Sequence, residues 1–189
     1  MFRTGLTEDD MLNLNIYKEK VIPYFKREFG IKSDLAVPVI EKIIVNAGVG
    51  KEVINDPKFL ETALSDLAKI TGQLPKVSKS KKAISGFKLR KGAPAGLVAT
   101  LRRKKMDDFF TKLVNVVFPR IRDFRGVKNT ALDDFGNLNI GISEHTVFLE
   151  IKPDQVTKPF SLQINIVTST KDKKQAKALF EQLGIIFEK

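Results

Sequence analysis

Five short runs of the chain constrain its fold most: "VIEKIIVNA" (39–47), "GLVATLRRK" (96–104), "NLNIGIS" (137–143), "TVFLEI" (146–151) and "FSLQINIVTS" (160–169). Each is rich in β-branched residues, bounded by turn formers and too short for a buried helix, so each is predicted to be a strand. The second alternates cleanly, with Leu97, Ala99 and Leu101 on one face and Val98, Thr100 and Arg102 on the other. Single helical patterns separate the runs. The first is predicted to be capped by Thr7, supported at its positive end by Glu8, Asp9 and Asp10, kinked or interrupted at Pro23 and ended by Gly30. A second has Asp56 as N-cap, Pro57 in its first position, Leu60, Leu64 and Leu67 on one face, and Gly72 as its stop. "MDDFFTKLVNVVFPRI" returns to helical spacing through Phe110, Leu113, Val114 and Val117, and a last helix is expected from about Asp172 to Leu183, stopped by Gly184.

Strand runs between single helices predict an α+β fold: a mostly antiparallel sheet with helices packed on one face, plus a long basic loop. The other sheet face can stay open, and an open, polar sheet face is a usual platform for RNA. With 189 residues the chain suits one domain, with or without an extension, and no repeat or linker divides it.

Charge narrows the function. Residues 67–106 hold twelve Lys and Arg and no acid, while the other 149 residues balance to −1, so the whole net charge of +11 sits in one block. A block of one sign builds a local field that draws a polyanion. Its first half, "KVSKSKKAISGFKLRKGAPAG", is broken by Gly86, Gly92, Pro94 and Gly96 and reads as a short strand and a long loop. That loop presents Lys79, Lys81, Lys82, Lys88, Arg90 and Lys91, which can follow an irregular phosphate backbone, with Phe87 available to pack or to stack on a base. A membrane-surface binder would add an apolar insertion face, and only Phe87 and Leu89 are available. "PRIRDFRG" adds Arg120, Arg122 and Arg125, whose planar guanidinium groups suit phosphate or carboxylate.

Catalytic patterns fail one by one. "IVNAGVGKE" resembles a phosphate loop, but a Walker-type loop needs glycine where Val45 stands and a hydroxyl where Glu52 stands. A dinucleotide fingerprint starting at Gly48-Val49-Gly50 has Val53 in place of its third glycine. The segment is expected to be a strand running into a glycine turn. His145 is the only histidine and there is no cysteine, so no thiolate or His-rich metal site is expected. Of the carboxylate pairs, Asp9-Asp10 and Asp107-Asp108 fall at predicted helix starts and Asp133-Asp134 in a loop. Ser78, Ser80 and Ser85 lie among lysines without a base. The residues point away from an enzyme and predict no cofactor.

The segments "IIVNAGVG", "ITGQLP", "KSKKAISGFKLRKG", "VATLRRKKMDDFF", "FPRIRDFRG" and "GNLNIGISEHTVFLEI" follow one another in the order found in bacterial large-subunit ribosomal protein five, and from about Lys18 onward the chain resembles that family. The resemblance implies a non-catalytic ribosomal scaffold in the cytoplasm. It would bind 5S rRNA, help attach it in the central protuberance beside 23S rRNA and other proteins, touch P-site tRNA, and bridge to a protein of the small-subunit head. It further implies that Asn46, Gln73 and Thr100 hydrogen-bond 5S rRNA, that Arg102 supports them, and that the loop from Lys79 to Lys91 faces tRNA. Arg120, Arg122 and Arg125 become candidates for bridge or RNA contacts. Residues 18–189 then form a single RNA-binding domain and residues 1–17 an extension without a counterpart. Leu149 stands where relatives often have proline. The alternative is an RNA-dependent enzyme that grips its substrate with the basic loop, and it lacks a nucleophile or general base near that loop.

Overall fold

The protein is described by a computed structural model, which covers residues 17–83, 85–87, 90–156 and 158–188. The expected helix cap at Thr7 and its acidic turn lie outside the described residues, as do Lys88, Leu89 and the side chain of Phe87. In chain order the main elements are α1 (Ile22–Glu28), β1 (Ile40–Gly48), α2 (Gly50–Asn55), α3 (Phe59–Thr71), β2 (Lys76–Lys79), β3 (Pro94–Leu101), α4 (Lys104–Lys112), β4 (Leu138–Ile142), β5 (Leu162–Thr168) and α5 (Lys173–Gln182). The five strands form one antiparallel sheet in the order β2-β3-β1-β5-β4. This is the α+β class the sequence predicts.

The described residues gather into two compact units. One holds residues 42–101 and 139–165, and with them most of the sheet. Its inward rows are Ile43, Val45 and Ala47 on β1, Leu97, Ala99 and Leu101 on β3, and Ile140 and Ile142 on β4, all buried. Both α2 and α3 pack against β3. Gly50 opens α2 against the strand: a Cβ there would come within 3.0 Å of the Ala95 carbonyl oxygen, so the position admits only glycine without a backbone shift. The expected glycine turn is therefore a short helix. Phe59, Ala63, Leu67 and Ile70 form the buried face of α3, while Leu60 and Leu64 lie on its half-exposed flank. The buried stripe is thus rotated from the expected one. Asp56 accepts from the Lys58 N–H in a turn before the helix, and α3 begins two residues later than its capping residue suggests.

The run "TVFLEI" is not a strand. Two single turns close there, Phe148 N–H donating to the His145 carbonyl and Ile151 N–H to that of Phe148, each at 3.2 Å. His145, Phe148 and Ile151 are buried at intervals of three residues, the period of a 3₁₀ turn, whereas Leu149 points outward. Apolar residues at 147, 149 and 151 also satisfy a period of two, and tertiary burial selected the other reading.

The second unit holds residues up to 41, 102–138 and 166–189. Val21 and Phe25 of the N-terminal segment pack with Val37, Ala178 and Leu179, so α1 rests one side on α5. Tyr17 packs on this cluster, and its hydroxyl lies 3.1 Å from the Val37 carbonyl oxygen and 3.0 Å from that of Pro38. Burial, with the Asp34 carboxylate adding, pushes its phenol up to about 12. The turn Tyr17–Val21 is a π-turn, and so is Leu113–Val117, which follows α4. Each precedes a proline by two residues, Pro23 and Pro119. A proline nitrogen cannot bond the carbonyl four residues back and its ring collides with it, so the helix widens by one residue just before. At Pro23 the helical turns run on without a break, the widened turn Tyr17–Val21 leading straight into α1. The second widened turn also explains why Val114 is half-exposed while Met106, Phe109, Phe110, Leu113, Val117 and Phe118 are buried. At the far end, Asp172 caps α5 by accepting from Lys174 N–H at 2.9 Å, and Gly184 turns the chain at φ +97°.

Candidate nucleic-acid interface

β1 and β3 pair so that Ile44 faces Thr100, Asn46 faces Val98 and Gly48 faces Gly96. Directly opposed residues share a face, and so do residues two apart, so Asn46 and Thr100 stand together on the outward side of the sheet. Gln73 reaches the same place from α3. The Thr71 hydroxyl lies 2.7 Å from the Leu67 carbonyl oxygen and 2.9 Å from that of Gln73, a shared donor that fixes the helix end. Gly72 then reverses the chain at φ +63°, and the Gln73 side-chain amide donates to the Thr100 carbonyl at 3.3 Å. The structure thus brings together Asn46, Gln73 and Thr100.

Asn46 does not stand alone. Its Nδ2 donates to Asn165 Oδ1 of β5 at 2.8 Å, and Asn165 Nδ2 donates in turn to Asn139 Oδ1 of β4. Three asparagines on three neighbouring strands form one chain of amides across the sheet. Beside them lies an open groove of about 480 Å³ lined by Asn46, Gly48, Asn139, Gly141, Ser143 and Gln163 among others, with no charged residue in its wall. The sequence reading passed over Asn139 and Asn165. The alternating polar positions of "LNIG" and "QINI" carry a trace of them.

Arg102 is placed differently from the expectation. β3 ends at Leu101, and Arg102 is the exposed residue after it, followed at once by Arg103 in a left-handed conformation with φ +54°. The alternation of β3 therefore does not extend to Arg102. The basic loop is the tip of the hairpin formed by β2 and β3. Its base is closed by backbone bonds: Ser80 N–H to the Ala93 carbonyl and Gly92 N–H to that of Ser80, both at 2.9 Å. Lys81, Lys82, Arg90 and Lys91 are all exposed there, whereas Lys79, expected in the loop, is the exposed last residue of β2 and pairs with Pro94. Arg120, Arg122 and Arg125 belong to the other compact unit, exposed around a turn in which Phe118 and Phe124 stack at 4.9 Å. At its end Gly126 takes φ +122°, and a Cβ there would meet the Glu188 nitrogen at 2.8 Å.

The groups that could suggest catalysis have structural duties. Asp133 Oδ1 accepts from the N–H groups of Phe135 and Asn137 and its Oδ2 from the Asn137 side chain, while Asp134 pairs with Lys173 at 3.0 Å. His145 is fully buried, stacks on Phe160 at 3.9 Å, and accepts the Phe160 N–H on Nδ1 at 3.3 Å. The proton of the neutral ring therefore sits on Nε2, which faces Asp66 Oδ2 at 3.8 Å. Burial holds the imidazole below its ordinary value of 6.5, and the Asp66 carboxylate offsets only part of that.

No helix among the described residues is long and apolar enough to cross a membrane. Residues 33–90 match the family model for ribosomal protein L5, and residues 94–187 match the model for the C-terminus of the same ribosomal family. The chain is 46% identical to the large ribosomal subunit protein uL5 of Desulforapulum autotrophicum over 173 residues, which is 92% of this chain and 96% of that relative. It is 47% identical to the uL5 protein of Mycoplasma mycoides subsp. mycoides over the same shares, and 47% identical to that of Chlorobium luteolum over 92% of this chain and 89% of the relative. With an RNA-suited sheet face, a basic hairpin tip and this similarity along nearly the whole chain, it belongs to the ribosomal protein L5 family.

Proposed function

We propose that the protein is a structural, non-catalytic constituent of the large ribosomal subunit in the cytoplasm and that its open sheet face binds 5S rRNA. The observation that supports this reading is that Asn46 and Thr100 share one outward sheet face, with Gln73 tied to β3 by its bond to the Thr100 carbonyl. Amides and a hydroxyl each donate and accept, which matches base edges and 2′-hydroxyls. The hairpin loop of Lys79, Lys81, Lys82, Lys88, Arg90 and Lys91 supplies point charges for the P-site tRNA backbone. Arg102 adds a phosphate contact next to β3. Arg120, Arg122 and Arg125 reach 23S rRNA, a neighbouring protein of the central protuberance or the small-subunit head. Residues 18–189 act as one RNA-binding domain.

An RNA-dependent enzyme gains nothing from this geometry, because Gly50 of "NAGVG" serves strand–helix packing and Asp133 serves a turn. The test is the affinity of the purified protein for 5S rRNA against a length-matched control RNA. The wild type is expected to prefer 5S rRNA, and the Asn46→Ala, Gln73→Ala, Thr100→Ala triple variant to lose that preference while keeping its fold. Equal affinity of the two proteins for 5S rRNA would remove the assignment. ATP or GTP turnover that disappears in Lys51→Ala would overturn the non-catalytic part.

A further inference from the structure

The connection from β4 to β5 is pinched near both its ends by one pair of residues. His145 N–H donates to the Phe160 carbonyl at 3.1 Å, the Phe160 N–H donates to His145 Nδ1 at 3.3 Å, and the two rings stack at 3.9 Å with 15° between their planes. A side chain here takes the place of the carbonyl that a strand neighbour would offer. The other ring nitrogen is left out: Nε2 is buried and has no hydrogen-bond partner among the described residues. Asp66 Oδ2 of α3 lies 3.8 Å away, too far for a bond, while Asp66 Oδ1 pairs with Lys69 at 3.1 Å. A buried N–H without an acceptor carries its full desolvation cost, so the neutral ring leaves one interaction unmade.

A second proton inverts these relations. On Nδ1 it turns the acceptor into a donor aimed at another donor, the Phe160 N–H, and it makes the ring a cation with a carboxylate on its Nε2 side. Asp66 from α3 and Glu144 from the ring's own segment both favour that cation, and Lys69 offsets part of the Asp66 charge. Lys58 and Lys158 line, with Asp66 and Phe160, a cavity of about 100 Å³. We propose that His145 is a proton-operated clasp: neutral, it holds the two ends of the β4–β5 connection together through Phe160, and protonated, it leaves Phe160, bonds Asp66 and lets the connection open. Burial holds the imidazole below its ordinary value, so the clasp is shut at neutral pH and opens in acid. The single turns closed by the Phe148 and Ile151 N–H groups hang from it. With α3 this connection walls a groove of about 380 Å³, lined by Ser65, Asp66, Lys69, Glu150 and Lys152 among others, whose shape changes when the clasp opens.

His145 is the only histidine, so the full chain gives a single imidazole signal, and NMR can follow its ring nitrogens and the amide exchange together. At neutral pH the ring should be the Nε2–H tautomer. Below about pH 6.5 the exchange protection of the Phe160, Phe148 and Ile151 amides, corrected for the intrinsic rate, should drop by up to about tenfold per pH unit, the limit for one linked proton, while amides of β1 and β3 keep theirs. His145→Gln can accept from Phe160 and donate to Asp66 without changing charge, so it should keep the protection and lose its pH dependence. Asp66→Asn removes the carboxylate that receives the charged ring and should shift the imidazole titration to lower pH. Protection at Phe160 that does not respond to pH in the wild type would overturn the clasp, and so would a response that survives in His145→Gln. Equal loss of protection in β1 and β3 would show acid unfolding of the whole sheet and would overturn it too. An imidazole titration unmoved by Asp66→Asn would remove the Asp66-bound state and the clasp with it. If His145→Gln does not fold, the wild-type exchange profile and the Asp66→Asn titration decide alone.

Discussion

With Nδ1 occupied by the Phe160 N–H and its ring sealed in the core, His145 can take a second proton only by giving up that bond or by ionising without water. Its folded value lies below 6.5, so the unfolded chain binds the proton first as pH falls. The His145 contribution to stability should therefore be constant above about 6.5 and decline below it, and the decline should shrink in His145→Gln; urea unfolding at a series of pH values measures this. Tyr17 works at the other extreme. Its phenol ionises at about 12 when folded against 10 when unfolded, so stability should fall as pH rises through that window, and Tyr17→Phe should remove the effect. Gly126→Ala should be a harsh small change, because a positive φ and a 2.8 Å clash add, costing about 2–4 kcal/mol by thermal or urea unfolding. Only through the family resemblance were Asn46, Gln73 and Thr100 legible, as proposed RNA contacts, in "VNAGVG", "TGQ" and "VATLR". Asn139 and Asn165 were not, because their meaning depends on β5 lying between β1 and β4, an order that no local pattern states.

The hairpin of β2 and β3 divides the basic block into a strand part and a loop part with different expected roles. Because the loop is closed at its base by the Ser80 bonds to Ala93 and Gly92, changes at its tip should not disturb the sheet. Replacing Lys79, Lys81 and Lys82 by alanine should leave 5S affinity nearly intact and impair translation by reconstituted ribosomes. The triple variant at Asn46, Gln73 and Thr100 should do the reverse. Equal loss of 5S binding by the two variants would show that the block is one surface. Where element boundaries were misjudged, a specific competitor prevailed. Alternation carried β3 on paper as far as Arg102, yet the left-handed Arg103 shows the chain already turning toward α4. Leu60 and Leu64 fit a helical stripe, but starting α3 at Phe59 turned Ala63 and Ile70 inward instead. The two π-turns were visible only as prolines, which announce a break without saying that the helix will absorb it by widening.

Across the whole molecule, the excess charge concentrated in residues 67–106 sets the ionic response. Removing one side chain that touches phosphate should reduce the slope of log affinity against log salt by about 0.7–0.9. The Arg102→Ala variant should therefore lower the 5S slope by roughly that amount if it touches phosphate, whereas Asn46→Ala should lower affinity with the slope unchanged; a salt titration of both separates charged partners from amide partners. The two compact units exchange the chain at residues 41–42, 101–102, 138–139 and 165–166, and β1, β4 and β5 run through the first, third and fourth of those points. Backbone shared in this way should make unfolding a single transition, with near- and far-UV dichroism changing together. The closed base of the basic loop has one more use. The chain has no cysteine, so Lys82→Cys would carry the protein's only thiol, on a tip whose anchoring bonds it leaves untouched. A dye attached there would report from one defined point, making the loop a ready optical sensor for whatever arrives at it during translation.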